Sequence, residues 1–153
     1  MKKLIGSVAM ATALMSFQTT PKKQVQTKPQ IKTVTTPVGG LKASVDRGKA
    51  VYTLQCLACH QVDGGGVPHL NAPLDAATLV VSKNKERLIR IVLKGMSDNV
   101  ELDGEYYSNK MAPHSDLTDQ QIADVLTYVR NSWTNKASAV TPVEVKTVRA
   151  KTK

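Results

Sequence analysis

Aromatic residues are scarce in this chain of 153 residues, which contains four Tyr, one Trp and one Phe. The Phe lies in an apolar stretch near the N-terminus. A domain of roughly 90 to 110 residues is therefore left with the other five aromatic residues. A domain of that size has little apolar surface of its own to bury. A bound apolar group would complete such a core. The five aromatic residues are Tyr52, Tyr106, Tyr107, Tyr128 and Trp133.

Cysteine is also rare, and this limits the kinds of site that the sequence can build. The two cysteines, Cys56 and Cys59, are three positions apart. A zinc site would need two further ligands, which only His69 and His114 could supply. A disulfide between the two cysteines would close a very small loop and stabilise little. A thioredoxin-like site would require a surrounding β-α-β pattern, which the sequence does not show.

A histidine follows the second cysteine directly and completes C-x-x-C-H, the sequence that attaches a c-type haem covalently. On one helical turn Cys56, Cys59 and His60 share a face. The two thiols can then form thioethers with the haem vinyl groups, while the imidazole is an axial ligand of the iron. We therefore expect one covalently attached haem c, with its iron, and prefer this interpretation to the zinc, disulfide and thioredoxin-like sites.

Long apolar runs are missing as well. Lys2 and Lys3 precede an apolar stretch from Leu4 to Phe17, about 14 residues, whereas a membrane-spanning helix needs about 20. Basic residues followed by a short apolar stretch are typical of a secretory signal peptide, which we predict over residues 1–17. A permanent N-terminal anchor is the weaker alternative. The expected location is the periplasm, or another exported location.

Acidic residues are absent from the first 42 positions, which carry seven lysines. Residues 18–42, rich in Thr, Lys, Gln and Pro, predict a disordered linker. Residues 136–153 predict a basic C-terminal tail with a short helix, because they contain a Thr-Pro-Val-Glu capping sequence. The predicted domain between them, residues 43–135, holds nine basic and eleven acidic residues.

The net charge of +9 therefore belongs to the two basic segments and not to the domain. These segments contain no interleaved aromatic residues and no recognition motif, which argues against a nucleic-acid partner. Weak association with a membrane surface through the basic tails is the minor alternative to simple solvation.

Sustained alternation of apolar and polar residues is missing too, so the predicted fold is all-α. The predicted main helices cover residues 44–56, 84–94 and 118–130. Ser44 is the expected N-cap of the first, and Thr118 opens a capping box at the start of the third. Apolar residues then recur at helical spacing along the third helix.

A haem iron held by His60 needs a second axial ligand, and two methionines remain beyond the signal peptide, Met96 and Met111. Met111 lies in a loop-like stretch just before the third helix, where a thioether can reach across the open haem face. Met96 lies at the end of a helix, where methionine usually packs in the core. We therefore predict Met111, with Met96, His114 or an open position as alternatives. Methionine ligation raises the reduction potential relative to a second histidine.

Five segments together resemble the class I c-type cytochromes, especially the small domains associated with bacterial alcohol dehydrogenases, nitrite reductases and oxidases. The resemblance extends over roughly residues 46–149. The segments are Y-T-L-Q-C-L-A-C-H-Q from residue 52, D-G-G-G-V-P from residue 63, P-L from residue 73, M-A-P-H from residue 111 and L-T-D-Q-Q-I-A-D-V-L-T-Y-V-R-N-S-W from residue 117.

This resemblance implies the cytochrome c fold, in which three main helices wrap one haem c and the first helix crosses the last near Gly48, Tyr52 and Tyr128. In such folds the carbonyl of a proline placed like Pro73 accepts a hydrogen bond from the other nitrogen of the ligating imidazole. An ordinary loop proline is the alternative. Asn-Ala precedes Pro73 where related sequences tend to have Phe-Pro, which removes an aromatic residue from beside the haem.

The resemblance also implies a function. A monohaem protein of this kind carries single electrons from a dehydrogenase donor to an oxidase or reductase acceptor and is not itself an enzyme. One alternative is a dedicated electron-transfer subunit of a dehydrogenase or reductase complex. Another is a haem-based ligand sensor with a displaceable distal ligand. Acidic residues between positions 98 and 105 are most simply a solvated loop, although they could steer a basic redox partner.

Overall fold

The computed structural model describes residues 39–97 and 100–152, which form six helices and one two-stranded hairpin. The predicted signal peptide and most of the predicted linker lie outside the described residues. Within the described ranges, no helix is both long and apolar enough to cross a membrane. In chain order the elements are α1 (Gly40–Gln55), α2 (Leu57–His60), α3 (Thr78–Val81), α4 (Glu86–Lys94), β1 (Val100–Leu102), β2 (Glu105–Tyr107), α5 (Asp119–Val129) and α6 (Pro142–Lys151).

Helix α1 begins one turn earlier than predicted. It starts at Gly40, so the last positions of the predicted linker, residues 40–42, are helical. Ser44 is not the N-cap but lies inside the helix, and its hydroxyl donates a hydrogen bond of 2.5 Å to the carboxylate of Asp124 in α5. The physical reason is that this hydroxyl serves a buried carboxylate and not the helix end.

Helices α1 and α5 cross closely at Gly48. A Cβ at this glycine would lie 2.0 Å from the backbone oxygen of Asp124 and 2.7 Å from the Cβ of Tyr128. Arg47 flanks the crossing and donates two hydrogen bonds, of 2.7 and 2.8 Å, to the Asp124 carboxylate. This carboxylate belongs to a residue that is only 2% exposed, so its burial is compensated by a bidentate ionic pair. The crossing implied by the family resemblance is therefore present.

Helices α4 and α5 confirm the second and third predicted helices. Gly95 ends α4 with a φ of +72°. The capping box at the start of α5 is complete, because the Gln121 amide donates to the Thr118 hydroxyl (3.2 Å) and the Gln121 side chain accepts from the Thr118 amide (2.9 Å). The core between these helices and α6 includes Leu88, Ile89, Val92, Ile122, Val125, Leu126 and Val145.

The predicted short C-terminal helix is present, but it is docked against α4 and α5 and does not form a loose tail. Val145 and Val148 are buried in this contact. Lys85, just before α4, donates hydrogen bonds to the Glu144 carboxylate (2.9 Å) and to the Ala139 carbonyl (2.6 Å). The folded domain therefore continues past its predicted end at residue 135, because α6 buries apolar side chains of its own.

A short antiparallel hairpin departs from the all-helical expectation. Leu102 and Glu105 pair across a two-residue turn made by Asp103 and Gly104, whose φ values are +53° and +87°. Positive φ at both central positions defines the type I′ turn, which favours Asp-Gly. Strands of three residues are too short for alternation to reveal. The Asp103 carboxylate accepts hydrogen bonds from the amide and hydroxyl of Thr78, which hold the turn against α3.

Arg130, at the end of α5, is a buried cation that ties together separate parts of the chain. Arg130 is 1% exposed, and its guanidinium donates to the carbonyls of Ser138 (2.8 Å), Ser82 (2.9 Å) and Val80. Burial lowers the pKa of this guanidinium from its ordinary value. The contacts hold the end of α3 and the segment before α6 to α5.

We expect Gly48→Ala to lower the free energy of unfolding by about 3 kcal/mol, because the added methyl would overlap the α5 backbone and force the helices apart. Guanidinium denaturation measures the loss. Lys49→Ala, at the exposed neighbouring position of the same helix, is the matched control and should leave the midpoint nearly unchanged. Equal midpoints for the two variants would contradict the close crossing.

Candidate functional site

Cys56, Cys59 and His60 are brought together by one helical turn that follows α1. The Cys59 and His60 amides both donate to the Cys56 carbonyl, at 3.2 and 2.9 Å. Both cysteines are free, and Cys59 is exposed to solvent. Two unpaired thiols and an imidazole are thus presented on one turn, as the sequence predicts.

Burial sets the protonation of the first cysteine. It raises the pKa of the Cys56 thiol to about 11, with a smaller contribution from the neighbouring Cys59. At neutral pH this thiol is therefore protonated and is not a reactive thiolate. Thiol exchange proceeds through the thiolate, so this protonation argues against a thiol-exchange role for Cys56.

His60 is oriented by a hydrogen bond from its ring to the main chain. Its Nδ1 lies 2.9 Å from the carbonyl oxygen of Ala72, and because a carbonyl only accepts, Nδ1 carries the proton. The other ring nitrogen, Nε2, is left to bind a metal. Burial lowers the pKa of His60, the Ala72 hydrogen bond opposes this, and His114 lowers it further. The imidazole is therefore neutral at neutral pH, which is the form that binds iron.

The acceptor for His60 corrects the expectation for Pro73. The accepting oxygen belongs to Ala72, one position earlier, on the peptide that joins Ala72 to Pro73. The physical reason lies in the preceding turn, where a bridge between Val67 and Asn71 reverses the chain and presents the Ala72 carbonyl to the ring. The proline supplies the nitrogen of that peptide and not its oxygen.

Gly66 makes this arrangement sterically feasible. Its φ is +67°, and a Cβ here would lie 2.2 Å from the Asn71 oxygen and 2.8 Å from the Ala72 oxygen. The Gly66 amide also donates to the His60 carbonyl at 3.2 Å. A side chain would push the accepting carbonyl away from the imidazole. The glycine is thus part of the machinery that positions His60, and only its place in a Gly-rich run marked it in the sequence.

An aromatic cluster holds the backbone that leaves His60. The rings of Tyr52, Tyr128 and Trp133 pack with centroids 5.2 to 5.9 Å apart. The Tyr52 hydroxyl donates to the Gln61 carbonyl (2.6 Å), and the Trp133 indole donates to the Val62 carbonyl (3.0 Å). Burial raises the pKa of Tyr52, so its hydroxyl remains a donor. Three of the five scarce aromatic residues therefore lie beside the C-x-x-C-H turn.

Met111 lies in the loop between β2 and α5, next to the other candidate methionine. The backbones of Met96 and Met111 exchange two hydrogen bonds of 2.9 Å. The approach depends on Gly95, where a Cβ would lie 2.3 Å from the Met111 oxygen. Both methionines are half-buried. Their positions do not distinguish which of the two would be the iron ligand.

His114 ties this loop to α4. It follows Met111 by three positions, its amide donates to the Val92 carbonyl (2.8 Å), and it lies close enough to His60 to lower that residue's pKa. The loop that carries Met111 is therefore held to α4 at His114. The other histidine, His69, is exposed, with its Nδ1 3.7 Å from the Glu105 carboxylate.

Hydrogen bonds join the turn before Ala72 to the stretch of chain before Met111. The amides of Ser108 and Asn109 donate to the carbonyls of His69 and Leu70, at 3.1 and 3.0 Å. The Asn109 side chain donates to the Asn71 side chain at 3.0 Å. The segments that lead to the His60 acceptor and to Met111 are thus held to each other, and Asn71, which departs from the family pattern, has a partner of its own.

The donor set fits a covalently bound haem. Cys56 and Cys59 supply unpaired thiols, His60 supplies an imidazole whose Nδ1 is already engaged, and Met111 supplies a thioether on a neighbouring loop. A zinc site would need the cysteines to be joined by His69 and His114. In the described part of the chain no group of three or more His, Cys, Asp or Glu side chains is assembled to hold a metal ion.

Comparison with known proteins gives one consistent family. A sequence model described as Cytochrome c matches residues 45–133. The chain is 34% identical over 122 residues to a protein named cytochrome c-552 from Thermus thermophilus, an alignment that covers 74% of this chain and 82% of the relative.

Longer relatives match as well. The cytochrome c subunit of the quinone alcohol dehydrogenase of Gluconacetobacter polyoxogenes is 32% identical over 150 residues, or 92% of this chain. The fructose dehydrogenase cytochrome subunit of Gluconobacter japonicus is 35% identical over 107 residues, or 67% of this chain. This chain spans 30% and 22% of the lengths of those two subunits.

We expect Gly66→Ala to raise the reduction potential of the haem-loaded protein by about 30 mV, half of the ~59 mV that corresponds to a tenfold change in a one-electron equilibrium. The added Cβ displaces the Ala72 carbonyl, which weakens the hydrogen bond from His60 and makes the imidazole a poorer donor to ferric iron. An optical redox titration measures the change.

Gly65→Ala is the matched control for this titration. A Cβ at Gly65 meets only the flexible Asp63 side chain, at 3.2 Å, so the potential should stay at the wild-type value. An unchanged or lowered potential in Gly66→Ala would show that the Ala72 carbonyl does not tune the site.

Proposed function

The chain belongs to the class I c-type cytochromes, and from this premise we propose that it is an exported, freely diffusing electron carrier whose single haem c is held by Cys56, Cys59, His60 and Met111. Members of this family bind haem c covalently and transfer electrons, so the protein is either a monohaem carrier or the cytochrome subunit of a dehydrogenase. The residue assignments, the export and the independence from a larger complex are the parts that we propose.

Each residue of the site has one role. Cys56 and Cys59 anchor the macrocycle, because only a thiol forms the thioether bonds. His60 would offer Nε2 to the iron, while its Nδ1 donates to the Ala72 carbonyl, which fixes the plane of the ring and raises its basicity. Met111 would supply a soft sulfur as the second ligand. When bound, the haem supplies a reversible one-electron couple between ferrous and ferric iron.

The observation that carries this proposal is the hydrogen bond from His60, in the C-x-x-C-H turn, to the Ala72 carbonyl. A ring with one nitrogen committed to a carbonyl and the other left for a metal is already set up as an axial ligand. The hydrogen bonds from Ser108 and Asn109 to His69 and Leu70 tie the chain before Met111 to the turn that leads to the His60 acceptor, which supports Met111 as the second ligand. A methionine there favours ferrous iron and a positive potential, which suits a carrier fed by a dehydrogenase.

A dedicated subunit of a dehydrogenase is the second candidate. The alcohol dehydrogenase cytochrome subunit aligns with 92% of this chain, which favours that assignment, but the chain spans only 30% of that subunit. The match to cytochrome c-552 covers 82% of the relative and favours a small independent carrier. Co-purification of a dehydrogenase with the haem-loaded protein from its native membrane and periplasm would separate the two candidates.

We propose that the protein is not an enzyme by itself and that its partners are a dehydrogenase donor and an oxidase or reductase acceptor. The hairpin carries Glu101, Asp103 and Glu105, all exposed. If these acidic residues steer a basic partner, the second-order rate of electron transfer falls as ionic strength rises. A haem-based sensor, in contrast, needs a distal position that carbon monoxide can occupy at equilibrium.

We expect Met111→Leu to abolish the weak far-red band of the sulfur-to-ferric-iron transition and to let the reduced protein bind carbon monoxide. Met96→Leu is the matched control, because Met96 pairs with Met111 in the same backbone bridge and should keep the band. Optical spectra of both oxidation states measure both effects. Loss of the band in Met96→Leu alone would transfer the ligand role to Met96, and a wild-type protein that lacks the band and binds carbon monoxide would favour the sensor.

A further inference from the structure

Arg149 donates hydrogen bonds to the stretch of chain between Met111 and the start of α5. It lies in the last turn of α6, beyond the residues matched by the family model. Its Nε donates to the Asp119 carboxylate (2.7 Å), and its two terminal nitrogens donate to the carbonyls of Ser115 (2.9 Å) and Leu117 (2.7 Å). All three nitrogens of one guanidinium are thus used on the segment that joins the loop to α5.

A short series of backbone hydrogen bonds links the residues that Arg149 contacts to the rest of the Met111 loop. The Leu117 amide donates to the His114 carbonyl (3.2 Å), and the His114 amide donates to the Val92 carbonyl (2.8 Å). Met111 itself is held on its other side by the bridge to Met96. The loop is therefore held at Met111 by the segment that follows α4, at His114 by α4 itself, and at its end by α6 through Arg149.

Helix α6 is firm enough to serve as an anchor. Val145 and Val148 are buried against the body of the domain, and Lys85 ties the start of the helix through Glu144. Arg149 is half-buried, with its side chain 27% exposed, so its hydrogen bonds are partly shielded from water. A planar guanidinium can hold three acceptors in a fixed arrangement, which a lysine ammonium on a flexible stem cannot reproduce.

We propose that Arg149 is a positioning residue for the distal ligand, which holds residues 115–117 in place so that Met111 stays on the iron. This inference rests on the proposed ligation by Met111. Without the guanidinium the end of the loop is released, and the thioether leaves the iron more readily when a competing ligand is offered. Arg149 therefore acts indirectly: its hydrogen bonds go to Ser115, Leu117 and Asp119, and they hold the loop that carries Met111.

The test uses the full-length, haem-loaded protein and follows the sulfur-to-iron band of the ferric form as the pH is raised. In Arg149→Met the pH at which half of the band is lost should fall by about one unit, a tenfold increase in the displaced form at a given pH. Carbon monoxide should also bind the reduced variant more tightly than it binds the reduced wild type. Arg149→Lys, which keeps the charge and loses the fork, should show a smaller shift and carries the test if the methionine variant does not assemble.

Two controls separate positioning from general stability. Arg90→Met removes an exposed arginine of α4 whose guanidinium pairs with Glu86 one turn earlier, and it should leave the band unchanged. Lys85→Met loosens the opposite end of α6 without touching residues 115–119. It should lower the free energy of unfolding but move the band midpoint far less than Arg149→Met does.

Amide hydrogen exchange supplies a readout that does not depend on the haem spectrum. The amides of His114 and Leu117 should exchange faster in Arg149→Met than in Arg90→Met. An unshifted band and unchanged exchange in Arg149→Met would overturn the assignment, and so would an equal shift in Lys85→Met. A wild-type protein without the band would overturn Met111 ligation itself and with it the role of Arg149, an outcome that the wild-type spectrum alone distinguishes.

Discussion

The close crossing of α1 and α5 at Gly48 is the constraint on which the rest of the domain depends. Because the two backbones touch there, the end of α1 has a fixed direction, and the C-x-x-C-H turn follows that end immediately. Tyr52, Tyr128 and Trp133 fill the space below the crossing and fasten the chain that leaves His60. The position of Cys56, Cys59 and His60 is thus set by helix packing and not by the turn alone.

Main-chain carbonyls do most of the positioning around the site. The Ala72 carbonyl orients His60, and the carbonyls of Ser115 and Leu117 tie the end of the Met111 loop to α6. The Ala72 carbonyl is fixed by its turn and so orients the His60 ring, whereas the carbonyls of Ser115 and Leu117 are themselves held by the guanidinium of Arg149. The buried guanidinium of Arg130 serves the fold in a similar way, through the carbonyls of Val80, Ser82 and Ser138.

The sequence predicts best what depends on neighbouring residues. The C-x-x-C-H spacing and the capping box at Thr118 are local patterns, and both appear in the structure as expected. The Asp-Gly turn of the hairpin was also local, but its strands are too short to show alternation. The acceptor of the His60 hydrogen bond depends on how a distant turn is folded, so a family resemblance placed it at Pro73, one residue away from its actual position at Ala72. The hydrogen bonds of Arg149 join α6 to residues 30 or more positions earlier in the chain. No residue spacing in the sequence predicts these contacts.

The central claim is that one haem c is held between His60 and Met111, and a crystal structure of the haem-loaded protein tests it most directly. The account predicts thioether bonds to Cys56 and Cys59, iron bound by Nε2 of His60 and by the sulfur of Met111, and Nδ1 of His60 still donating to the Ala72 carbonyl. A sixth ligand from Met96 or His114, or a water molecule at that position, would contradict it.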